Sequence, residues 1–378
     1  MIKTVSLLSS KVLVIKIGSS LLIKKNSFNS NWLDNFSSEV NFLKKKKLKV
    51  IVVASGSVSL GKKYLGIKDS KILKINEKQA CAACGQSLLM NYFIRFFKKK
   101  NLKVAQILLT FSETEDRRKN LNIRETINTL LDSGVIPVIN ENDSIATDEL
   151  KFGDNDRLAA RVGQITDADT LILLSDVEGL FDSNPFKNKK AKLIPFIHEI
   201  DDKIKKMATR ETNVYGSGGM STKIEAAQIA MNFGCNTLIC SGKKRFPIKG
   251  VINNQNKSGT WFISKKKNYS HFKRWLASSI QIFGHIIIDD GALDALNEGS
   301  SLLPSGVVEV EGDFFRGDIV EVRSKKDQLI GKGVISYDSS ESKLIIGKKT
   351  SQIESILGYI GRDEIIHRDN FIFNDKVK

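Results

Sequence analysis

The sequence predicts an α/β protein: a three-layer αβα sandwich on a mainly parallel central sheet, followed by a smaller, mostly-β, barrel-like domain. Three observations carry this reading. From the start of the chain, short β-branched runs alternate with longer segments of helical period, the pattern of a parallel sheet covered by helices on both faces. Around residues 242–279 the alternation loosens into a polar, basic stretch containing Lys265-Lys-Lys-Asn-Tyr-Ser-His271. Beyond it, short strands with turn signals between them dominate. The expected division is a first domain over residues 1–262, a linker over 263–280 and a second domain over 281–378.

Candidate strands of the first domain are Val12–Ile17, Val50–Ala54, Val104–Leu109, Val135–Ile139, Thr170–Leu174 and Thr237–Cys240. Helices are expected around Trp32–Lys45, Glu77–Phe97, Ile123–Leu131, Arg157–Gln164 and Ser221–Asn232. In open parallel sheets ligands gather beyond the carboxyl ends of the strands. That rule points at Gly18-Ser-Ser20, Ser55-Gly-Ser57, Asn140-Glu-Asn-Asp143 and Ser175-Asp176, each of which directly follows a strand. In the second domain the expected strands are Ile286–Ile288, Val307–Val310, Asp318–Arg323 and Val334–Tyr337, with Gly312-Asp313, Arg316-Gly317 and Gly331 between them.

A chain of 378 residues is too long for one typical core. With 41% hydrophobic residues and no apolar run near membrane-spanning length, it reads as a soluble, cytoplasmic, enzyme-sized protein. The opening Met1–Ser10 segment meets Lys11 and Lys16 and no small-residue cleavage site, so it is not expected to be a signal peptide. The net charge of +17 is unevenly spread: from Ile280 onward 12 Lys and Arg face 17 Asp and Glu, a balance of −5 that leaves residues 1–279 at +22. The basic runs Lys44–Lys47, Lys98–Lys100 and Lys265–Lys267 sit at helix ends or in loops and read as solvated faces. Cys81-Ala-Ala-Cys84 lies inside an apolar helical run without a second Cys or His pair, so buried thiols are expected there and at Cys235 and Cys240. The four histidines are scattered, and no protein-held metal site is expected.

Gly216-Ser-Gly-Gly-Met-Ser-Thr-Lys223, just ahead of a helix, has the make-up of a polyphosphate cradle: inward-turning backbone N–H groups, a helix N-terminus and a lysine. It is neither a Walker A loop, where Lys follows Gly directly, nor a dinucleotide fingerprint. Phosphoryl transfer needs cations around the moving group, and Lys16 near the end of the first strand supplies a second. Lys151-Phe-Gly-Asp-Asn-Asp156 places two carboxylates and an amide at a helix start. Capping accounts for one of them but not all three. With Asn140-Glu-Asn-Asp143 they form a set suited to a small zwitterion.

In order and approximate spacing, Ile15-Lys-Ile-Gly-Ser-Ser20, Ser55–Gly61, Pro137–Asp143, Lys151–Asp156 and Gly216–Lys223 resemble the amino acid kinase family. Within it they look like the branch that phosphorylates L-glutamate, and Gly291-Ala with Gly299–Gly306 resembles the PUA domain that bacterial members append. The resemblance implies that Ser55, Asp143 and Asn155, with Asp154 close by, hold L-glutamate. It implies an ATP site lined by Lys16, Ser175, Asp176 and Ser217, Gly218, Gly219, Met220, Ser221, Thr222 and Lys223. Lys16 and Lys223 would stabilise the transferring phosphoryl group, and Asp156 would orient them. Ala54 and Ser175 stand where Thr is common in relatives, and only Ala54 removes a hydroxyl.

The mechanism so implied needs no general base, because a γ-carboxylate with a pKa of about 4.3 is already ionised at neutral pH. Mg²⁺ is expected with ATP, bound chiefly by phosphate oxygens and water. The product would be L-glutamyl 5-phosphate, the first intermediate of proline biosynthesis. Feedback inhibition by proline, a separate glutamyl phosphate reductase as the next enzyme and a homo-oligomeric assembly are expected; membrane and RNA partners are not. The competing readings are a kinase of the same family acting on N-acetylglutamate or aspartate, an RNA-binding PUA protein, and an amino-acid sensor. The acidic balance of the C-terminal part argues against RNA, whose phosphates need local positive charge.

Overall fold

The computed structural model describes residues 6–24, 27–68, 70–145, 155–183, 185, 188, 190–209, 219–253, 258–264, 276, 279, 281–359 and 361–374. The chain divides into two compact units, Met1–Lys267 and Asn268–Lys378. The expected linker falls largely outside the described residues.

In the first unit the elements are β1 (Val12–Ile17), α1 (Ser19–Leu22), β2 (Ile23–Lys24), β3 (Ser27–Phe28), α2 (Ser30–Lys45), β4 (Lys49–Ala54), α3 (Ser57–Tyr64), α4 (Ile75–Lys98), β5 (Lys103–Leu109), α5 (Phe111–Glu115) and α6 (Arg117–Asp132). They continue with β6 (Val135–Glu141), α7 (Asn155–Ile165), β7 (Thr170–Ser175), β8 (Phe196–Ile197), α8 (Asp202–Thr209), α9 (Met220–Asn232), β9 (Asn236–Ser241), α10 (Pro247–Asn253) and β10 (Thr260–Phe262). Eight strands form one sheet in the order β5-β6-β4-β1-β7-β9-β10-β8. Every pairing from β5 to β9 is parallel, and only the β9–β10 contact is antiparallel.

The period-two alternation of β1 sorts its side chains between two cores. Leu13, Ile15 and Ile17 join Trp32 and Phe36 of α2 and Phe93 and Phe97 of α4 on one face. Val14 joins Leu158 and Val162 of α7 and Ile224 and Ala227 of α9 on the other. Lys16 shares the parity of Val14, so the alternation that builds the core also aims this lysine at α7 and α9. The expected three-layer sandwich is what forms.

The structure adds elements that the sequence pattern hid. α3 is short and leans on α4 through two glycines: a Cβ on Gly61 would lie 1.7 Å from Cys81 O, and one on Gly85 would lie 1.8 Å from Ser57 O. Only backbone-to-backbone packing permits that approach. α10 and β10 occupy part of the stretch read as loosened pattern, and Trp261 and Phe262 of β10 are fully buried.

The second unit holds β11 (Gly284–Ile288), α11 (Asp290–Asn297), β12 (Val307–Gly312), β13 (Ile319–Ser324), β14 (Leu329–Val334), α12 (Ser339–Ile345), α13 (Ile353–Leu357) and β15 (Phe371–Phe373). Its sheet runs β12-β11-β13-β14-β15 around a core that includes Ile286, Val322, Ile330 and Tyr337. The strand expected at Val334–Tyr337 is instead Leu329–Val334, and Gly331 lies within it rather than in a turn. Gly331 faces a close approach of its antiparallel neighbour β15, where a Cβ would meet Ile372 O at 2.3 Å.

Candidate active site

Four neighbouring strands, β6, β4, β1 and β7, deliver the expected loops to the same edge of the sheet. Register places Lys16 opposite Val53 and Leu173, and Ile17 opposite Ala54 and Leu174. The segments after Ile17, Ala54 and Leu174 therefore leave the sheet at one level, where α7 and α9 begin.

At this level one buried carboxylate holds two amines. Asp156, in the first turn of α7 and with no solvent exposure, has its Oδ1 2.6 Å from Lys16 Nζ and its Oδ2 3.0 Å from Lys223 Nζ. Thr222 Oγ1 donates to the same Oδ2 at 3.3 Å and also lies 2.9 Å from Gly219 O. Burial pushes the Asp156 carboxyl up, but the nearby Lys16 and then Lys223, by charge and by hydrogen bonding, outweigh it and hold the group below its ordinary range. Two ammonium groups on one carboxylate leave a local excess of positive charge. Beside the N-terminus of α9, that excess favours an anion.

Next to this trio runs a relay of amides. The Asn155 Nδ2 shares its two hydrogens among Ala54 O at 2.9 Å, Ser55 Oγ at 2.9 Å and Asn140 Oδ1 at 2.7 Å. Asn140 Nδ2 passes on to Gln86 Oε1 at 2.8 Å and Ser57 Oγ at 3.3 Å, and Ser57 Oγ donates to Asp143 Oδ2 at 3.3 Å. Ser55, Asp143 and Asn155, expected together from motifs far apart in the chain, thus belong to one network. A cavity of about 240 Å³ opens beside it, lined by Ser57, Gln86, Glu141, Asn142 and Asp143 among others.

Ser175 ends β7, and its Oγ donates to Asp176 Oδ1 at 3.2 Å. Gly219, Met220, Ser221, Thr222 and Lys223 form the entry and first turn of α9. Asp154, Ser217 and Gly218 lie outside the described residues. Ser57, Asn140 and Gln86 were not singled out as individual site residues. Asn140 lay within a flagged cluster, whereas Gln86 carries no motif signal and enters only because the Gly85 contact brings α4 against α3. A buried ion pair, Arg161 Nη2 to Glu115 Oε1 at 2.7 Å, ties α7 to α5 and carries no motif signal either.

Among the described residues no three His, Cys, Asp or Glu side chains assemble as a metal-ligand group. Asp156 is engaged as the counter-ion of two lysines. The four cysteines are free thiols, three of them buried. Burial, the largest cause, pushes the Cys235 and Cys240 thiols far up, against any nucleophilic use. No described helix is long and apolar enough to cross a membrane.

The sequence profile of the amino acid kinase family matches residues 11–241, and that of the PUA domain matches residues 284–357. A protein of Paramagnetospirillum magneticum named glutamate 5-kinase is 42% identical over 97% of this chain and 98% of its own length. One of the same name from Pelagibacter ubique is 46% identical over 96% of this chain and 98% of its own. A third, from Agrobacterium fabrum, is 44% identical over 95% of this chain and 92% of its own. With the Lys16–Asp156–Lys223 trio set at the carboxyl edge of the sheet, these matches place the chain in the amino acid kinase family, with a PUA domain as its second unit.

Proposed function

We propose that the first unit transfers the γ-phosphoryl group of ATP to the γ-carboxylate of L-glutamate, giving L-glutamyl 5-phosphate and ADP, the opening step of proline biosynthesis. The observation that carries this reading is the buried carboxylate of Asp156 holding Lys16 from β1 and Lys223 from α9 side by side. A γ-carboxylate oxygen attacks the γ-phosphorus in line; the bond from that phosphorus to the β–γ bridging oxygen breaks, and ADP leaves with the electron pair. Charge spreads over the non-bridging oxygens as this happens, and two fixed ammonium groups stabilise it without reorganising. Asp156 is their positioning residue.

Ser55, Asn155 and Asp143, with Asp154 alongside, hold glutamate: the acidic side chain meets its ammonium, and the polar groups orient its chain. Lys16, Ser175, Asp176 and Ser217 to Lys223 line the nucleotide site. Mg²⁺ arrives on the ATP phosphates as part of the substrate. Its identity follows from the preference of this ion for phosphate oxygens and water over protein cages. The acyl phosphate product is labile, which calls for a reductase acting next. Proline as a feedback inhibitor, a homo-oligomeric assembly and a cytoplasmic setting complete the reading.

The test is hydroxylamine trapping of acyl phosphate with ATP and Mg²⁺, comparing L-glutamate, N-acetyl-L-glutamate, L-aspartate and no acceptor. Hydroxamate with L-glutamate alone is expected. Hydroxamate with another acceptor would move the specificity, and none with any acceptor would contradict the activity.

A further inference from the structure

The amide relay has a direction, and one backbone atom sets it. Ala54 O can only accept, so Asn155 must turn its Nδ2 toward it, at 2.9 Å. The same amino group meets Asn140 Oδ1 at 2.7 Å, which leaves Asn140 Nδ2 facing Gln86 Oε1 at 2.8 Å. Gln86 is therefore locked as an acceptor on its oxygen. Its Nε2 takes no part in the relay and has no acceptor among the described residues. The side chain is only 8% exposed, yet it lines the 240 Å³ cavity together with Ser57 and Asp143. Because Gln86 lines the cavity, this donor is open to an acceptor on a ligand.

The cavity is below the roughly 300–1,000 Å³ of a drug-sized site, in the range of one amino acid. Asp143 and Glu141 give its wall a negative character that suits an ammonium and repels a bare carboxylate. A carboxylate entering there needs N–H donors, and Gln86 Nε2 offers two.

We propose that Gln86 is a substrate-binding residue whose Nε2 holds the α-carboxylate of the amino acid while Asp143 meets its ammonium. This rests on the reading of the first unit as a glutamate kinase. A site built around a hydrogen bond to a charged group rejects analogues that lack the group.

The deciding comparison is L-glutamate against 4-aminobutyrate, the same acceptor without its α-carboxylate, in the full-length protein. Gln86→Glu keeps the shape and the oxygen that accepts from Asn140 but removes the donors; Gln86→Met removes both. In either variant KM for L-glutamate is expected to rise about tenfold or more, with KM for ATP changed by less than about twofold. The preference for L-glutamate, taken as the Ki of 4-aminobutyrate as a competitor over KM for L-glutamate, should fall by a similar factor.

If Gln86 merely braces Asn140, both ligands weaken alike and the preference stays; that result, or an unchanged KM for L-glutamate, overturns the proposal. Should neither variant fold, the wild-type Gln86 side-chain NH₂ resonance decides. A shift on adding L-glutamate but not 4-aminobutyrate supports the role, and no shift with either contradicts it. A wild-type protein that makes no hydroxamate from L-glutamate refutes the functional reading itself, a result distinct from both.

Discussion

At the residue scale the chemistry reduces to which charges are fixed before substrate arrives. Lys16, Asp156 and Lys223 could each be named from the sequence, because each stands in a short motif next to glycines or at a helix start. Their convergence could not be measured there; it depends on strand register and on the parity of β1. The relay behind them was less legible. Gln86 and Asn140 lie 54 positions apart, and their hydrogen bond follows from the packing of α4 against α3, which no local motif reports. For Lys223→Ala, kcat is expected to fall about 10²–10³-fold while L-glutamate still binds, because one of two fixed cations is lost from the transition state. Unchanged turnover in a steady-state assay would remove Lys223 from the mechanism. For Asn155→Ala the expectation is chiefly a higher KM for L-glutamate, and a higher KM for ATP alone would mean the wrong ligand has been placed beside it.

At the element scale, Gly85 and Glu39 decide how two helices sit. Gly85→Ala would drive a methyl to 1.8 Å from Ser57 O, so α3 must shift. A loss of about 1–3 kcal/mol is expected in urea unfolding, with a raised KM for L-glutamate as Ser57 moves. Retained KM and stability would mean that the two helices are not locked there. Glu39 of α2 is fully buried and accepts from Lys249 N of α10 at 2.9 Å. Burial pushes its carboxyl up to about 7, against hydrogen bonds from the Lys249 and Ile248 backbone that pull it down. A folded-state pKa raised above the ordinary 4.5 stabilises the fold at low pH, and that contribution fades as pH rises toward about 7. Relative to Glu39→Gln, the wild type is therefore expected to lose thermal stability between pH 5 and 8, read as a difference in Tm. A flat difference would contradict the docking described. The sequence located the long helices and parallel strands well because their periodicity is strong. It misplaced β14 because it took Gly331 for a turn, when that glycine instead admits the close approach of its neighbour β15.

At the scale of the whole molecule, function and charge divide with the chain. The two cores of the first unit are built from residues up to Ile263, and every candidate site residue lies before them or among them. The second unit has its own core, beginning with Leu276 and Ile286, and its sequence from Ile280 onward carries the acidic balance of −5. Residues 1–267 alone are accordingly expected to fold and to form hydroxamate from L-glutamate; loss of activity in a folded fragment would assign the PUA unit a part in catalysis.

The account as a whole turns on a carboxylate oxygen of the substrate becoming bonded to phosphorus. The most direct measurement is to supply L-glutamate labelled with ¹⁸O in its γ-carboxylate, with ATP, Mg²⁺ and hydroxylamine, and to weigh the phosphate released. Hydroxylamine attacks the acyl carbon, so phosphate carrying one ¹⁸O per hydroxamate formed is the result predicted. Phosphate without label would mean that water or another group receives the phosphoryl, and would contradict it.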